Sequence, residues 1–247
     1  MPSYATKQQN VTIAGVDDLI IRSLLDRLQF SDPDGDADRL GISSAAWPLF
    51  GLIWPSAAHL AARLADRPVL ATERILEIGC GLALASLVGH RRGADITASD
   101  RHPLTEQFLQ ENLRANDLAP MKYRHGNWAP SPRSPARAGA PNVALVEGHY
   151  DLIIGSDLLY ERDTNADLAG FIDCHTSPAA EVWIIDPNRG NRSLFNRQMA
   201  ANGFLIDEER LSQPASISAP AYHGRVLIYT RPMPAPARQA FSTIAFQ

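Results

Sequence analysis

Residues 74–83, RILEIGCGLA, decide the fold. Arg74–Ile78 is a short apolar run of β-strand type. It breaks into Gly79-Cys80-Gly81 and passes at once into LALASLVGHRR, residues 82–92, which reads as a helix. A glycine-bearing turn between a strand and a helix is where open α/β sheets bind their ligands. Without a Cβ, Gly79 and Gly81 let the backbone turn sharply and a ligand come close. The free N–H groups of the helix start face that ligand.

Strands and helices alternate outward from this loop. Strands are expected at 94–99, 121–125, 149–157 and 181–186, with helices at 56–66, 103–116, 163–173 and 193–201. Two late strands, FLIDEERL and GRVLIYTR, have no helix between them and predict an antiparallel pair at one edge. The fold class is therefore α/β, a doubly wound and mostly parallel seven-stranded sheet with one antiparallel edge strand. In the helix at 56–66, Ser56 is the expected N-cap, with Leu60 and Leu64 one turn apart. Near the N-terminus a short β-like piece, VTIAG, precedes a helical pattern at Leu19, Ile20, Leu24 and Leu25. The expected division is an N-terminal extension at 1–45, the main domain at 46–232 and a loose tail at 233–247. Residues 129–142 carry four prolines and two arginines and read as a loop.

The chain has 247 residues, 23 basic against 27 acidic, for a net charge of −4. Nothing in that balance suggests nucleic acid, whose phosphates call for clustered Lys and Arg. No uninterrupted apolar span for a membrane and no signal peptide are visible. The two cysteines, Cys80 and Cys174, form neither a disulfide framework nor a zinc cluster, and the seven histidines show no metal-ligand spacing. A cytoplasmic protein without a metal is expected. Its oligomeric state stays open.

Three acids set the chemistry expected of the site. Glu77 ends the first strand beside the glycine loop. Asp100 ends the second strand, at the usual spacing for a carboxylate that grips ribose hydroxyls. Leu84 stands where a dinucleotide fingerprint needs its third glycine. An acid beside the loop suits an ammonium group better than a pyrophosphate. S-adenosylmethionine, with a ribose and an ammonium but no phosphate, fits this pattern better than NAD. Asp157 closes the fourth strand in Ser156-Asp157-Leu158-Leu159-Tyr160.

At these residues the chain resembles the seven-strand S-adenosylmethionine-dependent methyltransferases, and more narrowly methyltransferase family 16, over about residues 45–205. That family contains protein lysine methyltransferases, including a group acting on the β subunit of electron-transfer flavoprotein. Three further features carry the narrower resemblance. GLIWPSAAHLAARL places Trp54 ahead of a helix, where the family covers its cofactor. His125-Gly126-Asn127-Trp128 follows the third strand, where the family sets a tryptophan beside adenine. Asp157 and Tyr160 match an acid-x-x-aromatic motif. Asp186-Pro187-Asn188-Arg189 is similar to a sequence in the flavoprotein-modifying group. The resemblance implies an N-methyltransferase acting on a lysine of a protein substrate. A small-molecule N- or O-methyltransferase and an inactive cofactor-binding protein are the alternatives. It also implies catalytic roles for Asp157 and Tyr160, and cofactor contacts from Trp54, Glu77, Gly79, Cys80, Gly81, Asp100, Arg101, Asn127, Trp128 and Ser156.

Overall fold

The chain opens with an antiparallel hairpin, β1 (Thr6–Val11) and β2 (Leu19–Leu24), in the computed structural model, which describes residues 4–128, 144–163, 165–215 and 221–232. The helix expected over Leu19–Leu25 is thereby corrected to a strand. Leu19, Ile21 and Ser23 are buried while Ile20 and Arg22 are more open, an alternation of period two. Tertiary partners decide the outcome. The side-chain amides of Asn112 and Asn116 accept the N–H groups of Arg22 and Ile20 at 2.7 and 2.9 Å and donate back to the same residues' carbonyls. They act as a mock neighbouring strand along an edge that would otherwise be unpaired.

A short helix α1 (Asp36–Arg39) and a 3-10 turn at Trp47–Gly51 lead into α2 (Pro55–Asp66). Trp54, in extended conformation, is its N-cap, and Pro55 takes the first helical position, where its missing N–H costs nothing. Ser56 therefore does not cap the helix. It is fully buried, and its hydroxyl bonds that of Tyr222 at 2.9 Å. Leu60 and Leu64 face the core as expected.

The alternating region follows as β3 (Arg74–Ile78), α3 (Leu84–Arg91), β4 (Asp95–Asp100), α4 (Thr105–Ala115), β5 (Lys122–His125) and β6 (Tyr150–Ser156). Then come α5 (Asp167–His175), β7 (Thr176–Asp186), α6 (Arg192–Ala201), β8 (Leu205–Gln213) and β9 (Tyr222–Thr230). Helix α5 starts four residues later than the sequence suggests. The Asp163 carboxylate stays outside it and accepts the N–H groups of Asp167 and Leu168 at 3.0 and 2.9 Å, so it satisfies orphan donors of the first turn. The proline-rich loop and the tail lie outside the described residues.

The seven-stranded sheet has the order β5-β4-β3-β6-β7-β9-β8. Strands β3 to β7 pair in parallel, while β9 runs antiparallel to both β7 and β8, which gives the expected antiparallel pair at one edge. Successive strand residues feed opposite cores. Ile75, Ile154, Ile185 and Val226 pack with α2, α3 and α4, whereas Leu76, Ile153, Ile184 and Leu227 pack with α5 and α6. Burial on both faces explains why these strands are continuously apolar. Val11, Leu19, Ile21, Leu24 and Ile42 share the first core, so the hairpin packs into the domain. No helix among the described residues is long and apolar enough to cross a membrane.

Candidate active site

The strand order creates the site. From β3 the chain steps outward through β4 to β5, then crosses back to lay β6 on the other side of β3. Loops leaving β3 and β6 must therefore diverge, and the crevice between them lies at the carboxyl ends of the strands. A cavity of about 440 Å³ opens there, within the range of small-molecule sites. Gly79, Cys80, Gly81, Trp54, Asp100, Arg101, Trp128, Ser156, Asp157 and Tyr160 all line it.

Steric limits hold the loop after β3 close to its neighbours. Gly79 and Gly81 take φ of 55° and 51°, where side-chain-bearing residues are strained. A Cβ on Gly79 would stand 2.5 Å from a Leu158 methyl, and one on Gly81 2.9 Å from the Phe50 carbonyl oxygen. Ala83, at φ 59°, caps α3 in the same left-handed region, its N–H bonded to the Cys80 carbonyl at 2.7 Å. Cys80 is buried, and burial pushes its thiol pKa up, so it serves as a small apolar residue rather than a nucleophile.

Asp100 lines the cavity at the tip of β4. Its Oδ1 accepts the His102 N–H at 2.8 Å and its Oδ2 the Gly81 N–H at 2.9 Å. Burial raises its pKa, and these two donors work against the rise. Both oxygens keep lone pairs for a further donor such as a hydroxyl.

Glu77 behaves differently from the expectation. It is 2% exposed and absent from the cavity wall, and its Oε2 accepts both the N–H and the hydroxyl of Ser86 on α3. Desolvation pushes its pKa up to about 7, with Ser86 pulling it back and Asp100 adding to the rise. From behind the loop, Glu77 ties β3 to α3. Asn127 is exposed and also lies outside the lining, whereas its neighbour Trp128 packs against Gly79.

Asp157 directly follows β6 with φ 58° and its N–H on the Ile185 carbonyl at 3.0 Å. Its Oδ1 accepts Nη2 of Arg189 at 2.8 Å, while its Oδ2 is buried without a hydrogen-bond partner among the described residues. A buried acceptor left unpaired is costly, and a ligand donor would relieve it. Tyr160 lines the cavity and is 40% exposed, and burial of part of its ring raises its pKa. Trp54 is oriented by a bond from its Nε1 to the Leu49 carbonyl at 2.9 Å.

Two wall features escaped the sequence. The Phe50 and His102 rings stack at 3.7 Å and 12°, and burial lowers the His102 pKa to about 3, so the imidazole is neutral. Only the fold brings them together. Arg189 was visible as part of a motif, but its contact with Asp157 spans 32 residues and had no local signal. Among the described residues no group of His, Cys, Asp and Glu could hold a metal ion.

Comparison with known proteins identifies the family and the fold. The profile of a family described as lysine methyltransferase matches residues 50–193, more than half of the chain. The protein N-lysine methyltransferase METTL21A of Danio rerio is 30% identical over 130 residues, covering 52% of this chain and 53% of that protein. The electron transfer flavoprotein beta subunit lysine methyltransferase of Rattus norvegicus is 24% identical over 194 residues, covering 76% and 69%. The match spans about half the length of the two Danio rerio relatives. A Thermus thermophilus 16S rRNA methyltransferase, solved in complex with AdoMet and guanosine, shares the fold. Its TM-score is 0.57 at 17% identity, over 94% of this chain and 52% of that one.

Proposed function

Because the chain belongs to the lysine methyltransferase family, we propose that it methylates a lysine side chain of a protein, with S-adenosylmethionine as the methyl donor. One observation carries the reading: Asp100 and Asp157, from the strands on either side of β3, line a single cavity floored by Gly79 and Gly81. The residues present fit the donor. A carboxylate held only by backbone N–H groups suits ribose hydroxyls, the two glycines let the loop pack tightly on Leu158 and Phe50 at the cavity wall, and Trp54 and Trp128 line it with rings suited to a purine. Of the cavity's cations, Arg189 is engaged by Asp157, and an acid at the tip of β4 suits a hydroxyl-bearing donor better than a pyrophosphate.

When bound, S-adenosylmethionine supplies an electrophilic methyl group: the N–C bond forms as the C–S bond breaks, the electron pair leaves with sulfur, and the amine's proton passes to water. This chain's residues then have to hold the acceptor in line and keep water out. Asp157 Oδ2 accepts an N–H of the incoming amine and fixes its direction. Tyr160 walls the entrance, and Leu158, packed on Gly79, closes the floor beneath it. Glu77 acts through the loop rather than on a ligand. We propose a cytoplasmic location, with which a free, exposed Cys174 is compatible.

The test pairs isotope-labelled S-adenosylmethionine with a host lysate and mass spectrometry of the methylated species. Asp157→Asn accompanies the wild type, since asparagine tolerates left-handed φ. The variant keeps its affinity for the methyl donor within about threefold, while transfer falls about 100-fold or more. Label found only in small molecules removes the protein substrate. Unchanged transfer by Asp157→Asn removes Asp157 from the mechanism.

A further inference from the structure

Arg189 is placed by its own turn. Asp186 ends β7, Pro187 fixes the next φ, Asn188 takes φ 59°, and the Asp186 carboxylate accepts the Arg189 backbone N–H at 2.8 Å. This stiff turn returns the guanidinium to Asp157, where it lines the cavity. One Nη2 donates to Asp157 Oδ1 at 2.8 Å, and the Asp157 side chain is only 10% exposed. With Arg189 31% exposed the pair is partly screened, and the guanidinium's charge is still felt at the nearly buried carboxylate. Arg189 Nε and Asp157 Oδ2 are both buried and have no hydrogen-bond partner among the described residues.

We propose that Arg189 is a positioning residue that offsets the charge of Asp157, so that an acceptor amine is held at Oδ2 in its neutral, nucleophilic form. This rests on the reading of the cavity as an amine-acceptor site. An unopposed carboxylate would hold the amine as an ammonium, which has no lone pair to attack with. With Oδ1 taken by a cation, Oδ2 still accepts an N–H, but the pair as a whole attracts positive charge far less.

The other groups around the cavity do not replace this cation. Arg101, after β4, makes no ion pair with Asp157 among the described residues, and Asp100 is held by two backbone N–H groups. His102 is neutral. Arg27 lines the cavity from the N-terminal segment, where no ion pair joins it to Asp157. Asp186 is fully buried behind the turn; burial and the Asp157 charge raise its pKa, while Arg189 and Arg192 work against the rise. Removing Arg189 therefore takes from Asp157 the one ion-pair partner it has among the described residues.

The experiment has two arms. In the first, n-butylammonium, a mimic of the lysine side chain, is titrated at pH 7 into protein saturated with S-adenosylhomocysteine and followed by NMR. Arg189→Gln binds it about tenfold more tightly than wild type, as expected from one nearby charge removed at partial screening. Arg189→Lys stays within about threefold of wild type, and the Asp157→Asn/Arg189→Gln double variant loses the gain. In the second, methyl transfer to lysate proteins is followed against pH. The rising limb moves up by about one pH unit in Arg189→Gln and returns in Arg189→Lys. Equal n-butylammonium affinity in wild type and Arg189→Gln, or an unmoved limb, overturns the proposal. A tenfold gain in binding alongside a wild type that methylates no protein supports the charge offset and removes the protein-lysine reading instead.

Discussion

Glu77→Gln tests the electrostatics of the loop most directly. Glu77 is 2% exposed, and burial raises its carboxyl from an ordinary 4.5 to about 7 in the folded chain. A raised carboxyl pKa means that the folded state binds the proton more tightly than the unfolded state does. Below pH 4.5 both states are protonated and the contribution is fully present. As pH rises from 4.5 to 7 the unfolded chain gives up its proton first, so stability falls, and above 7 the loss is constant. A gap of about 2.5 pH units at about 1.4 kcal/mol per unit gives about 3 kcal/mol. Urea unfolding of wild type and Glu77→Gln between pH 4 and pH 8 reads this as a difference of curves, which cancels every other titrating group. Glutamine keeps an oxygen for the two Ser86 donors, so the loop retains its anchor. Wild type loses about 3 kcal/mol more than the variant across that range. Parallel curves would refute the burial argument and place Glu77 in contact with water.

Gly81→Ala puts a Cβ at φ 51° and 2.9 Å from the Phe50 carbonyl oxygen, which is backbone and cannot swing away. The left-handed conformation alone costs about 1–2 kcal/mol, so urea unfolding registers a loss of about 2 kcal/mol and titration calorimetry a donor affinity at least about tenfold weaker. Wild-type values for both would mean that the loop does not approach Phe50. His102 has the opposite pH sign from Glu77: its folded pKa of about 3 lies below the ordinary 6.5, so its contribution is complete above 6.5 and is lost as pH falls toward 3. At pH 4 this amounts to about 3 kcal/mol. His102→Asn, which leaves an acceptor for the Leu104 N–H, loses correspondingly less stability than wild type between pH 7 and pH 4 in the same assay. Equal acid sensitivity of the two proteins would show that His102 charges without cost.

What the sequence revealed follows from the range of the interactions involved. The strand-loop-helix at Arg74–Arg91 was legible because its signals are local: an apolar run, two glycines with positive φ and an apolar helix. Asp100 and Asp157 were legible because each closes a strand, and strand ends in this topology converge. Glu77 was read correctly as an acid at the loop but was assigned to the wrong side of it. Which way its carboxylate turns depends on Ser86, nine residues on in the first turn of α3. The hairpin strand β2 was misread as helix because Leu19, Ile20, Leu24 and Leu25 fit a helical spacing by chance. The amides that settle the matter, Asn112 and Asn116, stand about ninety residues on. Arg189 illustrates the same limit. Its turn is local and visible, while its destination is not.

Backbone strain is distributed in a way that joins fold to site. Non-glycine residues with positive φ cost about 1–3 kcal/mol each and persist only where their surroundings over-determine them. Ala83, Asp157 and Asn188 are such residues, and they stand in the loops that leave β3, β6 and β7 toward the cavity. Each is held from outside: Ala83 by the Cys80 carbonyl, Asp157 by the Ile185 carbonyl, and Asn188 by the Asp186 cap on Arg189. At Asp157 the consequence can be followed to the chemistry. An extended residue there would continue β6 and its alternation, sending the side chain to one face of the sheet beneath a helix. The left-handed turn ends the strand instead, and the carboxylate lines the cavity with one oxygen on Arg189 and the other unclaimed. The strain at residue 157 is thus what turns a strand terminus into a cavity-lining carboxylate, and the neighbouring β7 supplies the hydrogen bond that sustains it.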